Sequence, residues 1–116
     1  MKRKVALFAF NGDQMCFIHV LLNTLDMHEK GYEVALIIEG SATRLLIELT
    51  NEDHQLHGLY SKVKEAGLIN CVCKACANKK GTLGIAEDER LPVCGPMMGH
   101  PSMADYMNNG FEILIF

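Results

Sequence analysis

Short apolar runs alternate with stretches of helical spacing along this chain, and that alternation restricts the fold more than any other feature. Val5-Ala-Leu-Phe-Ala-Phe10 is unbroken by polar residues, as a strand buried on both faces requires. From Gln14 the spacing changes. Met15, Ile18, Leu22 and Leu25 fall on one stripe with Leu21 beside it, Asp13 is placed to cap the helix and Gly31 to stop it. "YEVALII" (32–38) reads as a second buried strand, closed by Glu39-Gly40. Ser41 or Thr43 caps a segment carrying Leu45, Leu46 and Leu49, and Leu56, Leu59, Tyr60 and Val63 form a further amphipathic stretch ending at Gly67.

"LINCV" (68–72) is a short third strand, followed by a helix from about Cys73 to Lys80 with Gly81 as its C-terminal cap. The stretch "GTLGIAEDERLPVCG" (81–95) reads mostly as connecting loop, with a short strand near Leu91 to Cys94. Residues 102–109 suit a last helix through Met103, Ala104 and Met107, and "FEILIF" a last strand. Strands alternating with helices predict one α/β domain over residues 1–116. The expected architecture is a flavodoxin-like three-layer sandwich of about five mostly parallel strands with helices on both faces.

Charge and composition exclude several function classes. A formal net charge of -3 offers nothing to nucleic acid or an anionic membrane. The run Val5 to Phe10 falls short of a signal core, and no apolar stretch approaches the roughly 18 residues that span a bilayer. The expected location is therefore cytoplasmic. Five cysteines are an odd count, and in a reducing compartment thiols serve chemistry or metal binding more than structural disulfides.

In doubly wound sheets the reactive groups gather beyond the carboxyl ends of the strands. Three segments leave the sheet there, "NGDQMC", "CVCKAC" and "CGPMMGHPS", and each carries cysteine. Cys16, Cys73, Cys76 and Cys94 are thus expected to converge at one edge, with Cys71 a buried small residue of the third strand. Cys73 opens a helix beside Lys74, an arrangement that stabilises a thiolate, and an exposed thiolate accepts sulfane sulfur as a persulfide.

The stretch "CKACANKKG" between the third strand and a loop resembles the DsrE-like sulfur-relay family, which includes the DsrE, DsrF and TusD proteins. There a cysteine opens a short Ala-rich helix that ends in two basic residues and Gly, and counting back from Gly81 through Lys80 and Lys79 matches Cys73 to it. "KVALFAFNGD" and "GHPSMADYMNNGFEILIF" resemble the family's first strand and loop and its final helix and strand. The resemblance implies a flavodoxin-like fold, a homo-oligomer and no cofactor. It further implies a sulfurtransferase-type carrier that holds a persulfide on Cys73 and exchanges sulfur with a donor or acceptor protein. Cys76, then Cys94, are candidates for a second thiol. Cys76, Cys71 and the loop 95–100 are not part of the family pattern.

Two rival chemistries stay open. Cys73-x-x-Cys76 has the spacing of half a zinc site, which Cys94 with His100 or Cys16 would complete in a structural or regulatory module. The same pair is also a candidate for reversible dithiol oxidation. His100 is read either as a group that orients a thiol or as a solvated loop residue, and His54 and His57 as a wet helix face. Met97-Met98 forms an apolar lip over the thiols, a subunit contact or core filling. "FNGDQM" lacks the loop that would cradle a flavin or nucleotide phosphate. An exposed edge strand ending in "ILIF" favours association.

Overall fold

The computed structural model describes residues 2–116. Five parallel strands form one sheet: β1 (Lys4–Ala9), β2 (Glu33–Ile38), β3 (Ile69–Cys73), β4 (Val93–Cys94) and β5 (Glu112–Ile115), in the order β4-β3-β2-β1-β5. Six helices connect them: α1 (Gln14–Glu29), α2 (Leu46–Leu49), α3 (His57–Glu65), α4 (Lys74–Lys80), α5 (Leu83–Asp88) and α6 (Met103–Asn108). A 3-10 turn over Gly40–Leu45 precedes α2. This is the flavodoxin-like α/β sandwich expected from the alternation of runs.

Strand order explains a lopsided packing. Crossovers between parallel strands are right-handed, so successive steps in one direction place their helices on one face. From β1 to β4 the chain moves steadily one way, and residues of α1, α2, α3, α4 and α5 all join the core on a single face, with Phe17, Leu46, Val63, Ala77 and Ala86 packed against Leu7, Leu36 and Val72. Only the step from β4 to β5 reverses. It carries α6 across the other face, where Met103 and Tyr106 cover Ala6, Phe8, Ala35, Ile37 and Cys71. Tyr106 meets Phe8 edge-on at 5.4 Å between ring centroids.

Local signals placed most boundaries. The Asp13 carboxylate accepts from the backbone N–H groups of Met15 and Cys16 at 2.8 and 3.2 Å, satisfying two orphan donors of α1. Gly81 ends α4 at φ 76°, a left-handed conformation that glycine adopts freely.

Two expectations fail. The buried face of α1 is Phe17, Val20, Leu21 and Thr24, whereas Met15 is 79% exposed and Leu22 45%. Thr24 made the true face look polar, yet its hydroxyl donates to the Val20 carbonyl at 2.7 Å and enters the core satisfied. Within the stretch read as loop, Leu83–Asp88 is helical, with Ala86 fully buried. No helix is long and apolar enough to cross a membrane among the described residues.

Candidate metal centre

The carboxyl ends of β2, β3 and β4 are neighbours at one edge of the sheet, and each delivers one part of the site. Glu39 follows β2 directly and is 6% exposed. Its backbone N–H continues the ladder to the Ala9 carbonyl at 2.8 Å, which fixes its side chain at the strand mouth. Cys73 ends β3 and forms the N-cap of α4, with Cys76 in the helix's first turn. His100 arrives from the loop after β4.

The loop 95–100 is shaped by two glycines. Gly95 and Gly99 lie so close that a Cβ on Gly95 would stand 2.8 Å from the Gly99 backbone, and the Gly99 N–H donates to the Gly95 carbonyl at 3.1 Å. Gly99 itself adopts φ +92°, and a Cβ there would lie 2.9 Å from that of Ala75. That close approach lets the Ala75 N–H donate to the Gly99 carbonyl at 2.9 Å, docking the loop on the first turn of α4. Reciprocal N–H to carbonyl bonds between Met97 and His100, at 2.9 and 3.0 Å, hold the imidazole in place.

The result is a compact four-residue group. Nδ1 of His100 is 3.1 Å from Sγ of Cys73, 3.7 Å from Sγ of Cys76 and 3.8 Å from Oε1 of Glu39. One ligand-capable atom from each of Glu39, Cys73, Cys76 and His100 lies within 4.8 Å of every other. Cys73 is 0% exposed, Cys76 partly buried, and the His100 side chain reaches solvent.

Electrostatics here favour neutral forms in the bare protein. Burial pushes the Cys73 thiol up to about 12, reinforced by Cys76 and Glu39, while the Cys76 backbone N–H acts in the opposite sense. Burial likewise raises the Glu39 carboxyl, against the opposing pull of His100 and Cys73. Among the described residues no lysine or arginine pairs with Glu39; its one ion-pair partner is His100.

These findings revise the thiol geometry read from the sequence. The sulfur of Cys73 is sealed inside rather than reachable, and its proton is held more tightly rather than less, because desolvation outweighs the favourable start of a seven-residue helix. Lys74 is exposed and lines a separate cleft with Ala75, Asn78 and Leu83, so it does not activate the thiol. Cys94 is not a free ligand: it is joined to Cys71 in a disulfide, Cα atoms 5.7 Å apart, which also makes Cys71 more than a packing residue. Cys16 is exposed on the first turn of α1 and stands outside the group.

His100, in contrast, is at the centre, and Glu39 was missed altogether. A Glu closing an apolar strand was its only signal. His54 and His57 are also not merely wet: His57 Nδ1 lies 2.8 Å from the Leu49 carbonyl and His54 Nε2 3.2 Å from the Gln14 side chain. Met97 lines an apolar cleft of about 410 Å³ with Phe10, Pro101 and Met103, and Glu39 and His100 form its polar wall.

Fold and site together define a flavodoxin-like α/β protein with a half-buried Cys-Cys-His-Glu cluster at the strand mouths. The chain belongs to the family of the uncharacterized protein MJ0733 of Methanocaldococcus jannaschii, to which it is 33% identical over 104 residues, covering 84% of this chain and 77% of that one. An uncharacterized protein of Archaeoglobus fulgidus is 51% identical over 43 residues, 37% of this chain and 70% of the relative. A solved structure of a conserved protein of unknown function, BT1422 from Bacteroides thetaiotaomicron, matches the fold with a TM-score of 0.73 at 17% identity, covering 97% of this chain and 95% of that one. No family model matches the chain.

Proposed function

We propose that this protein is a metal-binding module that holds one zinc-like divalent ion through Cys73, Cys76, His100 and Glu39. The observation that carries this reading is the convergence of the buried Glu39 carboxyl with two thiols and the His100 imidazole, with no lysine or arginine paired to Glu39 among the described residues. Burying a carboxylate is costly, and coordination to a cation is one of the few arrangements that offsets the cost. Donor chemistry selects the ion. Two thiolates and an imidazole suit zinc, whereas a single carboxylate is too little for calcium or magnesium.

Distances agree with that choice. A tetrahedral ion with bonds of about 2.3 Å to sulfur and 2.0 Å to nitrogen has sulfur–nitrogen edges of about 3.5 Å, and the two thiols stand 3.1 and 3.7 Å from Nδ1. Four protein ligands fill such a shell, so the role is structural or regulatory rather than hydrolytic. Metal analysis of purified protein tests this: stoichiometric zinc, lost in both Cys73→Ser and Cys76→Ser, is expected, and a metal-free protein that excludes added zinc would overturn it.

A second reading keeps the sulfur relay. It is supported by Cys73 opening a short helix that ends at Lys79-Lys80-Gly81, as in DsrE-like proteins, and by a partly exposed Cys76 within reach of the same imidazole. Here Cys76 is the outer thiol that meets a donor or acceptor protein, with Cys73 beneath it, in a cytoplasmic homo-oligomer. The discriminating result is a mass gain of one sulfur after incubation with a sulfane donor, retained in Cys73→Ser and lost in Cys76→Ser.

A further inference from the structure

We propose that the Cys71–Cys94 disulfide is a thiol-reducible staple whose state sets how firmly His100 is held over Cys73 and Cys76. β4 is an edge strand of two residues. It pairs only with β3, through Val72↔Val93 and Cys73↔Cys94, plus the Val72 N–H donating to the Pro92 carbonyl at 2.8 Å. So short an edge has little stability of its own. The disulfide ties it covalently to β3, and the loop that presents His100 begins at the next residue. Cut the staple, and the loop keeps its Gly99–Ala75 hydrogen bond but loses its anchored root.

Access is one-sided. Cys71 is 1% exposed within the face covered by α6, whereas Cys94 is partly exposed. Cys94 lines a cavity of about 470 Å³ together with Lys4, Asn70, Ser102 and Tyr106. A small-molecule thiol entering there reaches Cys94, which lines the cavity, whereas Cys71 is buried and does not line it. The incoming thiolate attacks Sγ of Cys94, the disulfide bond breaks, and Cys71 departs as a thiolate that takes up a proton. A second thiol molecule then attacks the outer sulfur of the mixed disulfide and releases Cys94. The balance is two external thiols oxidised to their disulfide and two protein thiols formed. This cavity adjoins the cleft beside Glu39 and His100, with Pro101 and Ser102 lining both, but Cys94 lines only the first, and Glu39 and His100 only the second.

In its metal-affinity form this inference rests on the zinc reading above, and the experiment separates the two. Protein in a Cys16→Ser background is prepared metal-free with the Cys71–Cys94 bond intact. Zinc affinity is measured by chelator competition before and after reduction with glutathione followed by desalting under argon. The Cys71→Ser/Cys94→Ser double variant is measured alongside, and backbone hydrogen exchange is followed over residues 95–100 in every form. Reduction is expected to weaken zinc binding tenfold or more, the scale for loss of a ligand's positioning shell. The double variant should match the reduced protein with or without glutathione, and loop amides should exchange faster in both. Equal zinc affinity with unchanged exchange in oxidised and reduced forms overturns the staple, as does a folded protein whose disulfide glutathione fails to open, or one purified under air with both thiols free. Absence of zinc binding in every form sinks the metal reading alone, and the exchange data then decide the staple.

Discussion

Nδ1 of His100 stands 3.1 Å from Sγ of Cys73 across 27 residues of sequence, with Sγ of Cys76 and the Glu39 carboxylate behind them. If this contact is half of a coordination shell, removing the imidazole should lower zinc affinity at least about 100-fold, beyond what loss of a supporting residue costs. His100→Ala should leave the fold intact, because the side chain is partly exposed and packs no core. Chelator competition and circular dichroism on the same sample check both halves.

The proton on Cys73 makes the binding pH-dependent. Its thiol is pushed up to about 12 by burial, so between pH 7 and 9 the metal-free protein carries that proton and zinc must displace it. Each displaced proton raises apparent affinity about tenfold per pH unit. Affinity should therefore climb at least about tenfold from pH 7 to pH 8. A flat titration would place the metal elsewhere.

Glu39→Gln should move stability and affinity in opposite directions. Burial raises the folded carboxyl above its unfolded value. A raised group contributes stability that is present at low pH and lost as pH rises through the folded value, so the cost of ionising Glu39 in the metal-free fold grows as pH rises. The neutral amide has no such cost, so the metal-free variant should gain stability over wild type in urea unfolding as pH rises. Zinc affinity should fall. A residue retained only for packing would not divide the two measurements in this way.

How much of this was readable before the structure depends on whether a signal is local. Asp13, Gly31 and Gly81 mark helix ends through the conformation or hydrogen bond of a single residue, and each stands at the boundary its chemistry suggests. Strands β1 and β2 announce themselves because both faces are buried and the run is continuous. The face of α1 was ambiguous. Two overlapping stripes of similar polarity fit its spacing, and only the sheet chooses between them. The site was legible in half. Cys73 and Cys76 share one turn of helix, but Glu39 and His100 join them through strand order and the turn made by Gly95 and Gly99, neither of which is a property of a short segment.

Away from the site, the Tyr60 hydroxyl donates to Oε1 of Glu89 at 2.5 Å and Lys64 pairs with the same oxygen at 3.1 Å. This ties α3 to the end of α5. Tyr60→Phe should cost about 1–2 kcal/mol near pH 7, the range for a hydrogen bond to a charged group that is partly solvated. The Glu89 carboxyl lies below its ordinary value, first because of Tyr60. A depressed carboxyl contributes above its unfolded value, 4.5, and loses that contribution as pH falls through the folded one. The gap between wild type and variant should thus close in acid, read from urea midpoints at pH 7 and pH 3.

Thiol reactivity offers a check that needs no metal assay. Cys16 is exposed, Cys76 partly buried and Cys73 sealed, with its proton held to about 12. Alkylation requires both access and a thiolate, so iodoacetamide at pH 8 should label Cys16 first, Cys76 more slowly and Cys73 last. Zinc should protect Cys76 and Cys73 while leaving the Cys16 rate unchanged, because Cys16 stands outside the cluster. Peptide mass spectrometry over a time course gives each rate separately. Rapid labelling of Cys73 in the metal-free protein would mean that its sulfur is reachable after all. The carrier role, with a persulfide on that residue, would then regain the exposure it requires.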